Sequence, residues 1–171
     1  MQDILSEFMG ESMIKDPLKV ADRMRTLCSR REYCRADIMK KLLSALDGDR
    51  GKAEEIIEQL IDEKYIDDLR YASAFARDKS SIAGWGETKI RYMLSAKGIS
   101  REAISEALDG IDEGKAAGRL VKLMETKARS LKGDGQARLK LLRFGMGRGY
   151  SYDEVANVTD NIMELWKDSE N

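Results

Sequence analysis

The sequence predicts an all-α protein made of three tandem three-helix repeats, about nine helices in all, in an elongated, curved array. Three observations support this fold class. The composition favours helix, with abundant helix-forming residues, 6% aromatic residues and a single proline, Pro17. Apolar residues recur at helical spacing along nearly the whole chain. The same order of helix starts and stops is found three times, which is typical of a helical repeat protein.

The first repeat is predicted to span residues 16–66, after an N-terminal tail at residues 1–15. Asp16-Pro17 marks its start, because aspartate caps the free amides of a first turn and proline fits there without losing a hydrogen bond. The Asp47-Gly48-Asp49 segment predicts a turn between the second and third helices. We expect these helices at about Pro17–Arg31, Arg35–Leu46 and Lys52–Glu63.

The pattern restarts in two further repeats, at residues 67–111 and 112–167, followed by a C-terminal tail at 168–171. Gly98-Ile99-Ser100 matches Gly149-Tyr150-Ser151, each a helix-ending glycine, an apolar residue and a capping serine. The two segments lie 51 residues apart, and the first repeat differs by a loop four residues longer. A long helix is expected to open each of these repeats, from Asp67-Asp68 to about Ile82 and from Asp112 to about Leu131.

Composition excludes several classes of enzyme. The 171 residues contain no histidine, which removes Ser-His-Asp and Cys-His schemes, imidazole metal ligands and the commonest general base. Cys28 and Cys34 do not share a helix face and lack the further thiols of a closed zinc site, so we expect reduced thiols. The phosphate-binding Gly-x-x-x-x-Gly-Lys-Ser/Thr motif is also missing. We therefore predict a binding protein without catalytic activity, cofactor or metal.

The sequence gives no sign of a membrane protein or of a secreted one. No apolar run approaches the roughly 18 residues that a membrane span needs. Asp3, Glu7 and Glu11 make the opening segment unlike a cationic secretory signal. We expect a cytoplasmic protein that does not contact a membrane.

Charge is segregated inside each repeat, although the formal net charge is only −1. The middle-helix regions Arg30–Leu43, Glu87–Lys97 and Lys132–Arg148 carry net charges of +3, +2 and +4. The last-helix regions Asp49–Glu63, Arg101–Asp109 and Asp153–Lys167 carry −4, −2 and −3. Stacked repeats could place the basic helices in a stripe that follows phosphates, and the acidic helices in a stripe that contacts a basic protein or discourages free DNA. The alternative is ordinary solvated faces with intrahelical ion pairs.

One stretch of the chain resembles a known family. Lys64-Tyr65-Ile66-Asp67-Asp68-Leu69-Arg70-Tyr71-Ala72 is similar to the Gly-Tyr-Leu-Asp-Asp-x-Arg-Phe-Ala signature of the RecX family, bacterial regulators of the RecA recombinase. Gly84-Trp85-Gly86-x-x-Lys89-Ile90 and Leu94-x-x-Lys97-Gly98-Ile99-Ser100 follow in the family's order, and the likeness covers about Asp16 to Trp166. The sequence departs from the family in Lys64 where glycine is usual, in the longer Asp47–Gly51 loop and in its slightly acidic balance.

The resemblance implies a non-catalytic regulator that binds the RecA filament in its helical groove. It would limit filament growth, ATP hydrolysis, strand exchange and LexA cleavage, and so modulate DNA repair and the SOS response. We expect a monomer, with direct contact to single- or double-stranded DNA left open. A standalone helical DNA-binding protein and a scaffold unrelated to RecA are the alternatives. The residues predicted to contact RecA or DNA are Arg30, Arg31, Arg35, Lys40, Lys41, Arg77, Lys89, Arg91, Lys97, Lys132, Arg138, Lys140, Arg143 and Arg148.

The other residues of the matching motifs are predicted to have structural roles. Asp67 and Asp68 are expected to cap helices, and Tyr71 and Phe75 to lie in the core. Trp85 is expected to pack between repeats rather than to anchor an interface.

Overall fold

A computed structural model of the chain describes residues 16–168, and in that range it contains nine α-helices and no β-strand. This confirms the predicted all-α class. Of the predicted tails, residues 1–15 and 169–171 lie outside the described residues. No helix between residues 16 and 168 is long and apolar enough to cross a membrane. The helices are α1 (Pro17–Cys28), α2 (Arg35–Ala45), α3 (Arg50–Asp62), α4 (Asp68–Ser81), α5 (Glu87–Ala96), α6 (Arg101–Asp109), α7 (Glu113–Arg129), α8 (Ala137–Gly147) and α9 (Tyr152–Asp168).

The chain divides into two compact units, the first ending at Tyr71 and the second starting at Ala72. The first unit therefore holds α1, α2, α3 and the start of α4. The second holds the rest of α4 and all of the following helices. The predicted repeat limits at residues 66 and 111 stay predictions.

Most helices begin at the residues whose side chains were predicted to cap them. The acceptors are carboxylates or hydroxyls that bind a backbone amide two or three residues later, where a first turn leaves amides unpaired. Ser151 and Glu154 form the reciprocal capping box at the start of α9, with the Ser151 amide donating to Glu154 at 2.7 Å and the Glu154 amide donating to Ser151 Oγ at 3.3 Å. The single-residue caps are Asp16, Asp49, Asp67, Ser100 and Asp112.

Three details differ from the sequence prediction. Helix α1 ends at Cys28 instead of Arg31, because the chain tightens into a turn after Ser29, where the Arg30 amide donates to the Leu27 carbonyl three residues earlier at 3.1 Å. Helix α3 starts two residues earlier than expected, because Asp49 caps it rather than only ending the preceding turn. Asp68 lies inside α4 and therefore does not cap that helix, a role that Asp67 alone fulfils.

Each unit has its own apolar core. In the first unit, Ile38, Leu42 and Leu60 are fully buried, and in the second unit Leu141 and Val155 are fully buried. Tyr71 is buried as predicted, whereas Phe75 is only half-buried. The Phe75 ring packs edge-to-face against the half-buried Trp85, with the two ring centroids 6.3 Å apart. These cores fix the helices whose outer faces carry the charged side chains.

The turns that end α5 and α8 have the same backbone conformation. Gly98 and Gly149 have φ angles of +76° and +92°, in the left-handed region where glycine has no steric penalty. In both turns the next residue donates its amide to a carbonyl five residues earlier, Ile99 to Leu94 at 3.2 Å and Tyr150 to Gly145 at 3.4 Å. The Gly-apolar-Ser segments that match in the sequences of the second and third repeats therefore form turns of the same structure.

Candidate binding surface

The first unit contains a groove between α1 and α2 whose charged lining is mostly cationic. It encloses about 680 Å³ and is lined by Arg23 of α1, Arg31 of the connecting turn, and Lys40 and Lys41 of α2. Asp37 is the single acidic residue among the lining side chains. We call the groove lined by Arg23, Arg31, Tyr33, Lys40 and Lys41 the basic groove. Four cations facing one carboxylate create a positive potential that suits a phosphate backbone or an acidic protein surface.

Tyr33 positions two of these cations. Its side chain is 8% exposed, and the Arg31 guanidinium and the Lys41 ammonium lie 4.4 Å and 5.5 Å from the ring centroid. Such contacts are worth about 0.5–1 kcal/mol at exposed sites and reduce the mobility of long side chains. Because the ring is buried under the two cations, it is not available to stack on a base. The groove is therefore suited to phosphate contact rather than to base recognition.

The other predicted residues of the first unit differ in availability. Arg30 is exposed in the turn after α1 and makes no ion pair among the described residues. Arg35 is bound by two carboxylates of α3, Glu54 at 2.7 Å and Glu58 at 3.2 Å. These pairs are exposed and individually weak, but a ligand phosphate must compete with them for the guanidinium.

The second-repeat candidates differ in their surroundings. Lys89 lies over the Trp85 ring, with its ammonium 4.5 Å from the centroid, and Lys79 lies 4.9 Å from the same ring. Arg91 is paired with Glu87 at 2.6 Å, one turn earlier on α5. Arg77 is exposed on α4 without an ion pair among the described residues, and Lys97 is half-buried at the end of α5.

The third-repeat candidates surround α8. Arg138 pairs with Asp160 of α9 at 3.0 Å, and Lys140 pairs with Asp134 of the preceding turn. The half-buried Arg148 donates to the Ala83 carbonyl at 3.0 Å, and its guanidinium lies 5.3 Å from the Phe144 ring centroid. The exposed Lys132 and Arg143 have no ion pair within the described part of the chain.

Two glycines fix the start of α5 against the turn between α8 and α9. The Gly86 amide donates to the Arg148 carbonyl at 2.9 Å, and the Thr88 amide donates to the Gly149 carbonyl at 3.0 Å. A Cβ added to Gly86 would lie 2.3 Å from the Gly149 carbonyl oxygen, so a side chain cannot fit there without movement of the backbone. This close approach explains the second glycine of the Gly-Trp-Gly motif, whereas the first, Gly84, has a φ angle of +62° in the left-handed region.

The sequence prediction missed two residues of the basic groove. Tyr33 stands between Arg31 and Arg35, and this alternation of aromatic and cationic residues was a signal that could have identified it. Arg23 carried no such signal, since it lies on α1 and reaches the groove only through the packing of α1 on α2. A charge count confined to the middle helix of the repeat does not include it.

The described residues contain no site that resembles a metal centre. Between residues 16 and 168, no three cysteine, aspartate or glutamate side chains are placed to hold a metal ion. Cys28 and Cys34 are both free thiols, as predicted. Burial raises the pKa of the Cys28 thiol, and Glu32 raises it further, so the thiol stays protonated and unreactive near neutral pH.

Comparison with known proteins agrees with this fold and these motifs. A model of the second three-helix domain of RecX matches residues 67–108. The RecX regulatory protein of Chromohalobacter salexigens is 31% identical over 81% of this chain and 89% of its own length, and that of Ectopseudomonas mendocina is 31% identical over 85% and 96%. The chain belongs to the RecX family. It is thus a RecX-type regulatory protein, and the predicted resemblance to the RecX family is confirmed.

Solved RecX structures share this fold. The crystal structure of RecX from Lactobacillus salivarius superposes with a TM-score of 0.74 at 26% identity, covering 85% of this chain and 96% of that chain. The segment that matches the second three-helix domain of RecX, residues 67–108, contains the Asp67 cap, the Gly86 contact and Trp85. The basic groove lies before this match, in the first of the two compact units.

Proposed function

We propose that this protein regulates the RecA recombinase by binding along the helical groove of the RecA–DNA filament. Bound there, it limits filament growth, ATP hydrolysis, strand exchange and LexA cleavage, and so modulates DNA repair and the SOS response. The observation that carries the proposal is RecX membership over 89% and 96% of the length of two relatives. The proposed role is stoichiometric binding without catalysis, by a cytoplasmic monomer.

The basic groove supplies a physical means of binding to such a filament. Two of its cations, Arg31 and Lys41, are held above the buried Tyr33 ring, so less side-chain entropy is lost when they bind phosphates or acidic residues. Outside the groove, several predicted contact residues are exposed and free of ion pairs among the described residues, and they can bind a partner without displacing a carboxylate. These residues are Arg30, Arg77, Lys132 and Arg143.

The decisive experiment measures the DNA-dependent ATPase of cognate RecA while the full chain is titrated in. Suppression is expected at substoichiometric or near-stoichiometric amounts, together with shorter filaments in electron micrographs. Unchanged ATPase activity and filament length at saturating protein would contradict the proposal. Lys40→Glu/Lys41→Glu should weaken the suppression. Lys19→Glu/Lys64→Glu, with the same charge change on exposed residues outside the basic groove, should leave it unchanged.

A standalone DNA-binding protein is the second candidate, favoured specifically by the basic groove. It predicts binding of fluorescent single- or double-stranded DNA in the absence of RecA. The logarithm of the affinity should then fall with the logarithm of the salt concentration, with a slope of roughly 0.7–0.9 per neutralised phosphate. Absence of an anisotropy change at low salt would eliminate this candidate. A pull-down that recovers other proteins but not RecA would instead favour a scaffold.

A further inference from the structure

A second cavity, in the second unit, has the opposite charge to the basic groove. It encloses about 370 Å³ between the start of α5, the end of α6, the start of α7 and the turn before α9. Four carboxylates line it, and no lysine or arginine does. The apolar part of the wall includes Trp85, Leu108 and Ile111. The lining carboxylates belong to Glu87, Asp109, Glu113 and Glu154.

Local helix chemistry accounts for part of this acidity. Glu87, Glu113 and Glu154 lie in the first turns of α5, α7 and α9, where a negative charge stabilises the helix dipole. Glu87 is paired with Arg91, and one oxygen of Glu154 accepts from Ser151. Glu113 has no ion pair among the described residues, so its charge remains available to the cavity.

Asp109 is not explained in this way. It is the last residue of α6, where the carbonyl ends already carry partial negative charge and a further carboxylate is unfavourable. It also has no cationic or hydrogen-bonding partner among the described residues. A cation that approached from the cavity would offset this unfavourable interaction with the helix end.

Tyr150 provides an independent observation at the same wall. Its side chain is 5% exposed and lines the cavity, yet its hydroxyl is buried without a hydrogen-bond partner. A buried hydroxyl that loses its bonds to water costs about 1–3 kcal/mol, so unpaired ones are uncommon in native proteins. The neighbouring Arg119 guanidinium donates to Ser80 Oγ at 3.2 Å and makes no hydrogen bond to this hydroxyl.

We propose that this cavity binds the side chain of a lysine or arginine from a partner protein. The apolar wall would pack against the methylene stem, and Asp109 and Glu113 would accept hydrogen bonds from the cationic head. The Tyr150 hydroxyl would gain an acceptor role toward the same head. The site does not depend on the basic groove or on the proposed RecA function, since any protein with an exposed basic side chain supplies the ligand.

The test uses the full chain, labelled with ¹⁵N, and N-acetyl-arginine amide and N-acetyl-lysine amide as probes. Saturable shifts are expected at the amides of Asp109, Glu113 and Tyr150 and at the Trp85 indole. N-acetyl-citrulline amide, which has the shape of the arginine probe without its charge, should produce none at equal ionic strength. Shifts that do not saturate, or that citrulline reproduces, would overturn the proposal.

Matched variants separate the cavity from general acidity. Asp109→Asn/Glu113→Gln should weaken probe binding at least about tenfold, because two charge-assisted hydrogen bonds are lost. Glu102→Gln/Glu106→Gln removes the same charge from exposed positions of α6 outside the cavity and should have no such effect. Equal weakening by both pairs of substitutions would show that the probe responds to the general negative charge of the protein, and would overturn the proposal.

Two further measurements address the hydroxyl and the source of the cation. Tyr150→Phe should weaken probe binding while leaving the amide spectrum otherwise that of a folded protein. Unchanged binding by that variant would remove the hydroxyl from the site and overturn the proposal as stated. Spermidine tests whether the ligand is a free polyamine. If spermidine binds clearly more tightly than either amino acid amide, the cation comes from a polyamine and not from a protein side chain.

Discussion

Asp68 accepts a hydrogen bond from the backbone amide of Arg35 at 2.9 Å, across 33 residues of chain. Arg35 is the first residue of α2, and the residue before it, the buried Cys34, offers no side-chain cap. Asp68 thus supplies from another helix the acceptor that a local serine or aspartate usually provides. The second aspartate of the RecX motif therefore holds the basic helix that lines the groove.

Replacement of Asp68 should destabilise the protein through the start of α2. Asp68→Ala is expected to lower the free energy of unfolding by about 1 kcal/mol, the usual loss for a missing helix cap. Asp68→Asn should lower the free energy of unfolding by less, because the asparagine amide oxygen can still accept the hydrogen bond from the Arg35 amide. Urea unfolding followed by circular dichroism measures both, with Glu55→Ala on the exposed face of α3 as the control. Equal losses in all three variants would contradict the capping role.

Lys64 has a φ angle of +64°, so it occupies the left-handed region where the RecX signature has glycine. A residue with a side chain costs of order 1 kcal/mol there, whereas glycine has no such penalty but loses more backbone entropy on folding. Lys64→Gly should raise the free energy of unfolding by up to about 1 kcal/mol. Lys64→Ala retains the backbone strain and should not raise the free energy of unfolding. If alanine stabilises as much as glycine, the lysine side chain rather than the backbone is responsible.

The sequence predicts well those features that depend on neighbours along the chain. Asp16 and Ser100 were identifiable as caps because a cap and its amide lie two or three residues apart. The Gly98 and Gly149 turns were identifiable because glycine alone enters the left-handed region freely. The departure from the family signature at Lys64 was visible in the same way, because glycine is usual at that position.

Features that depend on the packing of one helix on another were not predictable in this way. Asp68 looked like a cap of its own helix, and its bond to Arg35 exists only because α4 begins beside α2. Arg23 enters the basic groove for the same kind of reason. The charge of Arg35 was evident from the sequence, but its pairing with two acids of α3 was not. Apolar spacing predicts which face of a helix is buried and does not specify which helix covers it.

Gly86 tests the close contact between α5 and the turn after α8. Gly86→Ala should lower the free energy of unfolding by about 1–3 kcal/mol, because the added methyl would overlap the Gly149 carbonyl. Gly118→Ala is the control, since Gly118 lies inside α7 with open space around it and alanine there should stabilise by about 0.5–1 kcal/mol. Thermal unfolding of both variants measures the difference. A Gly86→Ala protein as stable as the parent would contradict the contact.

The ion pair between Arg25 and Glu63 predicts a specific pH dependence in the first unit. The Arg25 Nε–Glu63 Oε2 distance is 2.6 Å, and the hydrogen bond from Arg25 lowers the pKa of Glu63 from its ordinary value of 4.5. A carboxylate with a lowered pKa in the folded state stabilises above its unfolded pKa and loses that contribution as the pH falls through the folded pKa. Glu63→Gln should therefore be less stable than the parent at pH 7.

The difference between the parent and Glu63→Gln should shrink as the pH is lowered from 4.5 through the folded pKa. High salt should also reduce it at pH 7, because the pair is exposed and therefore screened. Urea unfolding at several pH values checks both expectations. A difference that stays constant across this pH range would show that Glu63 acts through packing rather than through charge.

Substitution of Arg143 or of Arg138, both on α8, tests whether an unpaired cation contributes more to filament binding than a paired one. Arg143 has no ion pair among the described residues, whereas the Arg138 guanidinium lies 3.0 Å from an Asp160 oxygen. If the filament contact is made to DNA phosphates, Arg143→Ala should weaken binding about fivefold, or about 1 kcal/mol. The slope of affinity against salt should fall by roughly one phosphate contact.

Arg138→Ala should weaken the same binding less, because the parent arginine must first leave Asp160 before it can bind a phosphate. Anisotropy of a RecA filament on fluorescent single-stranded DNA, titrated at several salt concentrations, measures both variants. A loss of affinity at Arg143 without a change in salt slope would indicate contact with RecA rather than with DNA. Equal losses in the two variants would show that the ion pair on α8 does not control which cations the partner contacts.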